Sequence, residues 1–137
     1  MADKTVTPSS VLASSAADVR RGVAGVAIAA GQSLYKDTSD NTMKLYDANG
    51  VAPANVFAGI SQHAAAVGQP ISFVYSDPSF TPGFAVAAGE VLIGSATPGG
   101  IAVVADIASG LFVTILGIGI GSNKVKLDPV VSGVAAV

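Results

Sequence analysis

From residue 23 onward, apolar runs of about four to eight residues alternate with short breaks of Gly, Pro, Asn and Asp, the rhythm of strands and tight turns. The breaks fall at Ala30-Gly31, Asp40-Asn41, Asn49-Gly50, Asp77-Pro78, Thr81-Pro82-Gly83, Pro98-Gly99-Gly100 and Ser109-Gly110. A period of two puts Ile71, Phe73 and Tyr75 on one strand face and Ser72 and Val74 on the other. Lys124-Val125-Lys126-Leu127 alternates charged with apolar side chains, which predicts an edge or half-exposed strand. The longest apolar stretch, Leu111 to Gly121, is about half the length of a membrane-spanning helix and reads as a buried strand. Strict alternation along it sets Gly117, Gly119 and Gly121 on one face and Leu116, Ile118 and Ile120 on the other. A bare glycine face admits a neighbouring strand, sheet or subunit at close range.

Residues 1–22 follow a different pattern. Thr5 to Ser10 is polar and broken by Pro8, and Ala13 to Ala17 is small and featureless. A short helix between Ser10 and Arg20, capped by Ser9 or Ser10, is one reading, and a disordered tail is another. The functional reading is an extended arm that orders on a neighbouring subunit through Val6, Val11, Leu12, Val19, Arg20 and Arg21. On that division the β-domain occupies residues 23–137 and folds without the arm.

The most informative feature is an internal repeat. Gly25 to Leu34 reads GVAIAAGQSL, and 58 residues later Gly83 to Leu92 reads GFAVAAGEVL, with six of ten positions identical. The same offset places Gly59-Ile60 on Gly117-Ile118, Phe57 on Ile115 and Val67 on Val125. Two related strand-turn-strand halves, 25–67 and 83–125, follow from this. Each is too small to cover its own apolar face, so the pair is expected to close one all-β sandwich or barrel.

Composition adds the expectation of association. Charged residues make up 12% of the chain, against about 25% in a typical soluble domain, while half of all residues are hydrophobic. A chain this poor in charge is expected to hide surface in a homo-oligomer or a larger assembly. With a net charge of −2 and no basic cluster beyond Arg20-Arg21, nucleic acid is not an expected partner. The N-terminus carries no apolar signal core, and no membrane partner is expected.

Candidate chemistry is sparse. Cysteine is absent, which removes thiol nucleophiles and thiolate metal sites. His63 is the only histidine and reads as a surface or loop residue. Asp37, Asp40, Asn41 and Asp47 form the densest set of oxygen ligands, but a calcium loop beginning at Asp37 would need a central Gly and a terminal Glu where the chain has Thr42 and Ala48. That cluster reads as a polar hairpin tip. Gly117 to Gly121 has the spacing GxGxG with no helix after it, which is not a dinucleotide fingerprint. Glu90, the only glutamate, gives no paired-carboxylate signal. No catalytic residue, cofactor or metal is expected.

The stretches Gly25 to Leu34, Val56 to Ser61 and His63 to Val74 resemble the small capsid decoration, or cement, proteins of tailed bacteriophages. Those chains commonly show a polar N-terminal arm, a Gly-x-Ala-x-x-Ala-Gly-x-x-Leu turn, a Val/Phe-x-Gly-Ile strand and a Gly-x-Pro-Ile-x-Val segment. The resemblance covers roughly residues 23–75, with an echo over 83–118. It implies a non-enzymatic, β-rich subunit, often a homotrimer, that binds the major capsid protein on the outer surface of the virion and stabilises the shell. The rival reading is a tail- or fibre-associated module that binds a host surface glycan. The lack of Trp, with Tyr35, Tyr46 and Tyr75 as the only tyrosines, weighs against that rival, because sugar sites usually need aromatic platforms.

Overall fold

The computed structural model describes residues 3–137, and over them the chain is all-β. Ten strands follow in order: β1 (Val11–Leu12), β2 (Asp18–Val23), β3 (Ser33–Asp37), β4 (Thr42–Leu45), β5 (Gly59–Ser61), β6 (Pro70–Pro82), β7 (Val91–Gly94), β8 (Ile101–Val103), β9 (Phe112–Gly121) and β10 (Lys124–Ala135). One curled sheet runs β4-β3-β5-β6-β10-β9-β7-β8, with β1 and β2 added on β6. A parallel bridge between Ala24 and Met43 joins the end of β2 to β4, so β2, β6, β5, β3 and β4 curl into a ring. This is the small barrel-like β architecture that the turn rhythm predicts.

The pairing pattern repeats at the offset seen in the sequence. Ser33 faces Ile60 and Leu34 faces Gly59 across β3 and β5; Val91 faces Ile118 and Leu92 faces Gly117 across β7 and β9. The hairpins agree as well, since Leu34–Leu45 and Lys36–Met43 correspond to Leu92–Val103 and Gly94–Ile101. The Gly31 N–H donates to Ser61 O at 2.8 Å, and the Gly89 N–H donates to Gly119 O at 2.7 Å. Both turn glycines have positive φ, 81° and 84°, a conformation that costs L-residues with a Cβ. The correspondence ends before Val67 and Val125. Val67 is exposed in the loop before β6, whereas Val125 is buried in β10, because Ser122-Asn123 turns β9 back at once.

β6 is the shared spine. Its first part carries β2 and β5, and its last part carries β10 and β1. Ile71 and Phe73 enter one core cluster with Leu34 and Met43, and Val74 and Phe80 enter another with Tyr46, Leu116 and Leu127. Both faces of the strand are therefore covered, and Val74 is fully buried rather than sharing a polar face with Ser72. The chain also runs straight through Asp77-Pro78, which by sequence reads as a turn. Pro78 lies in the bulge of the β6–β10 pairing, between the Asp77–Leu127 and Phe80–Val125 partners, where a proline is tolerated within a sheet.

The expected boundary at residues 22/23 is not a structural break. β2 spans it and pairs with β6 from Asp18–Ser76 to Val23–Pro70. The segment before it is extended, and the residues considered for a helix form a 3₁₀ turn (Pro8–Ser10), β1 and β2 instead. It lies along the body: Lys4 N–H donates to Ile101 O at 2.7 Å, and Thr7 N–H donates to Gly83 O at 2.8 Å. Asp77, 1% exposed, accepts from the Ser14 N–H at 2.8 Å, from the Ser14 hydroxyl, and from the Ser79 N–H at 2.9 Å. A free arm would leave that carboxylate and one edge of β6 without these partners, so the polar N-terminal segment is stitched in by backbone pairing that apolar periodicity does not report.

Candidate interaction surface

The six N-terminal residues considered for partner binding divide into two groups. Val6 and Val11 are used inside the chain: a Cβ on Gly31 would stand 2.5 Å from Val6 Cγ1 and 3.1 Å from Val11 Cγ2. The turn glycine thus makes room for them, and both are half-buried against the body of the chain. Leu12 (67% exposed), Val19 (43%), Arg20 and Arg21 face solvent.

β2 and the β3–β4 hairpin frame a groove of about 270 Å³ lined by Arg20, Arg21, Lys36 and Asn41 above Met43, Ala58 and Phe73. Lys36 and Met43 are cross-strand partners and share a face of the sheet, which brings the ammonium to the rim. Gly22, between the arginines and the floor, presents no side chain. Arg20 bonds Asp18 at 3.0 Å and lies 4.1 Å from the centre of the Tyr75 ring, so its guanidinium is held in place. Among the described residues, Arg21 and Lys36 have no ion pair.

The acidic residues beside this groove are already engaged. Lys44 binds Asp37 at 2.6 Å and Asp40 at 3.2 Å. The Lys44 hydrogen bond holds the Asp37 carboxyl well below the usual carboxylate range, helped by the Ser39 hydroxyl and N–H. Asp40 is lowered chiefly by the Thr42 hydroxyl and N–H, and Lys44 is raised by its bonds to both carboxylates. The cluster therefore closes the hairpin tip on itself, with Asn41 in the left-handed region at φ 59°. His63 is similarly occupied, with Nδ1 3.0 Å from Ala64 O and Nε2 accepting from the Ser72 N–H at 3.1 Å. Among the described residues no group of three or more His, Cys, Asp or Glu is placed to hold a metal ion.

A second exposed feature lies on the β9–β10 hairpin. Ile118 (47% exposed), Ile120 (49%), Val130 (57%) and Val134 (62%) face outward, interspersed with Lys126 and Asp128. Strict alternation would have put Leu116 with Ile118 and Ile120, but Leu116 is fully buried. A bulge explains the switch: Leu92 faces Gly117 while the next residue, Ile93, faces Ile115, so Leu116 is extra and the faces exchange after it. Gly117 and Gly119 then point inward. A Cβ on Gly119 would meet Ala87 O at 2.0 Å, so the close approach that this glycine permits is to the loop before β7 of the same chain. Among the described residues, β10 pairs with β9 alone beyond Leu127. A bulge of this kind leaves no signature in residue type, which is why the outward row was not legible.

Comparison with protein-family models, with curated proteins and with solved structures returned no match.

Proposed function

We propose that this chain is a non-enzymatic structural subunit that binds other protein subunits, and that it serves as a decoration protein on the outer surface of a phage capsid, associating as a homotrimer. The observation that carries the protein-binding part is the outward row Ile118, Ile120, Val130 and Val134 on one hairpin of a chain with only 12% charged residues. Exposed large apolar side chains grouped on one face mark interaction sites more often than singly scattered ones do. The capsid part rests on the resemblance of residues 23–75. Co-sedimentation with capsids stripped of decoration, together with light scattering of the purified protein, tests both parts. Ile118→Lys combined with Ile120→Lys should abolish co-sedimentation or trimerisation while leaving the melt unchanged. A wild-type chain that neither sediments with capsids nor self-associates would overturn the proposal.

A further inference from the structure

We propose that the groove between β2 and the β3–β4 hairpin receives an acidic peptide segment of a partner protein, with carboxylates at Arg20, Arg21 and Lys36 and an apolar side chain over Met43, Ala58 and Phe73. The inference rests on the protein-binding reading above and names the chemistry of one partner site. Three of the chain's seven basic residues line this one groove, although the net charge is −2. Among the described residues, no carboxylate lines it. The nearest acids are already paired, Asp37 and Asp40 with Lys44 outside the groove and Asp18 with one nitrogen of the groove's own Arg20. Among the described residues, Arg21 on β2 and Lys36 on β3 are the cations of this groove that have no ion pair; Lys124 and Lys126, on β10, have none either.

The floor selects among anions. Inorganic phosphate needs only donors and gains nothing from Phe73 or Met43. A nucleic acid would need a longer basic track than this groove offers. An extended peptide alternating acidic and apolar side chains satisfies rim and floor together, since its side chains project to opposite sides at every second residue. Arginine suits the carboxylates, because its planar fork takes two oxygens at once. Tyr75 beneath Arg20 fixes one such fork in advance, which reduces the ordering cost on binding.

The test uses the full chain and a dye-labelled peptide of alternating aspartate and leucine, followed by fluorescence anisotropy. Binding should saturate, weaken as salt is raised, and fall about tenfold or more in the double variant Arg21→Glu, Lys36→Glu. Both side chains are exposed, so the variant should melt as the wild type does. A peptide with lysine in place of aspartate should not bind. Absence of saturable binding, or equal affinity in the double variant, would overturn the proposal. So would a sulfated oligosaccharide that binds more tightly than the peptide and is lost in the same variant. Capsid co-sedimentation separates this inference from the function it rests on: a double variant that loses the peptide yet still joins capsids as wild type removes the groove from the interface and leaves the subunit role standing.

Discussion

The Tyr46 hydroxyl donates to the Thr114 hydroxyl at 3.0 Å, a buried bond that ties the end of β4 in the first half to β9 in the second. Tyr46 is fully buried, packs edge-on to Phe57 at 6.3 Å, and sits so close to Gly94 that a Cβ there would lie 2.2 Å from its ring. Tyr46→Phe keeps the ring and strands the Thr114 hydroxyl. It should lower the unfolding free energy by about 1–3 kcal/mol. Tyr46→Ala should cost more, about 3–5 kcal/mol, because it also opens a cavity between the halves. Urea unfolding with an unchanged slope would measure both. A Tyr46→Phe variant as stable as wild type would show that the hydroxyl pair contributes nothing.

Removal of residues 1–20 should abolish the cooperative melt or lower its midpoint steeply. The truncation takes away the Lys4–Ile101 and Thr7–Gly83 backbone bonds, half of the β2–β6 ladder, both Ser14 donors to Asp77, and the valines over Gly31. Asp77 would then be buried with fewer donors, which is costly in itself. Leu12→Ser in the same segment should stay within about 0.5 kcal/mol of wild type, since that side chain faces solvent. A truncated chain that melts like the intact protein would restore the independent arm that residues 1–22 suggest by sequence.

The β class, the turns at Gly31 and Gly89 and the 58-residue correspondence were legible because small residues and glycines at fixed spacing carry backbone geometry directly. The N-terminal segment was not, because a strand held by backbone bonds to β6 requires no apolar pattern of its own. By sequence, Val6 and Val11 read as partner residues because they are apolar positions in a polar, Pro-broken segment. Their partners, the bare glycines at 31 and 83, lie far away in sequence. Arg20 and Arg21 were visible as the one basic cluster, but Lys36 joins them only through the curl of the sheet.

The β3–β4 hairpin should lose stability at both ends of the pH scale. Asp37 and Asp40 have folded pKa values below their unfolded ones, so their contribution is present above about pH 4 and is lost as pH falls through the lowered folded values. Lys44 is raised by Asp37 and Asp40, and Tyr46 is raised by burial. Their contributions are present below about pH 10 and are lost as pH rises through the raised folded values. Melting temperature should therefore form a plateau between these limits. Lys44→Met should flatten the acid limb, and Tyr46→Phe should reduce the alkaline one. An acid limb identical in Lys44→Met would assign it to other carboxylates.

Two glycines in the second half should respond to alanine for different reasons and by different amounts. Gly119 is buried beside the 83–89 segment, where a Cβ would stand 2.0 Å from Ala87 O and 2.6 Å from Val86 Cγ1. Neither the carbonyl nor the β9 backbone can yield without losing the paired bonds Gly89 N–H to Gly119 O and Gly119 N–H to Glu90 O. Gly119→Ala should therefore cost about 3 kcal/mol, at the upper end for an overpacked site. At Gly89 a Cβ would meet nothing within 4 Å, and only its φ of 84° opposes a side chain. Gly89→Ala should cost about 1–2 kcal/mol, the penalty of the left-handed conformation. Chemical denaturation of the two variants side by side checks the order. Equal losses would mean that the β9 glycines matter for backbone conformation alone, and that the 83–89 loop is free to move away from Gly119 without breaking the fold.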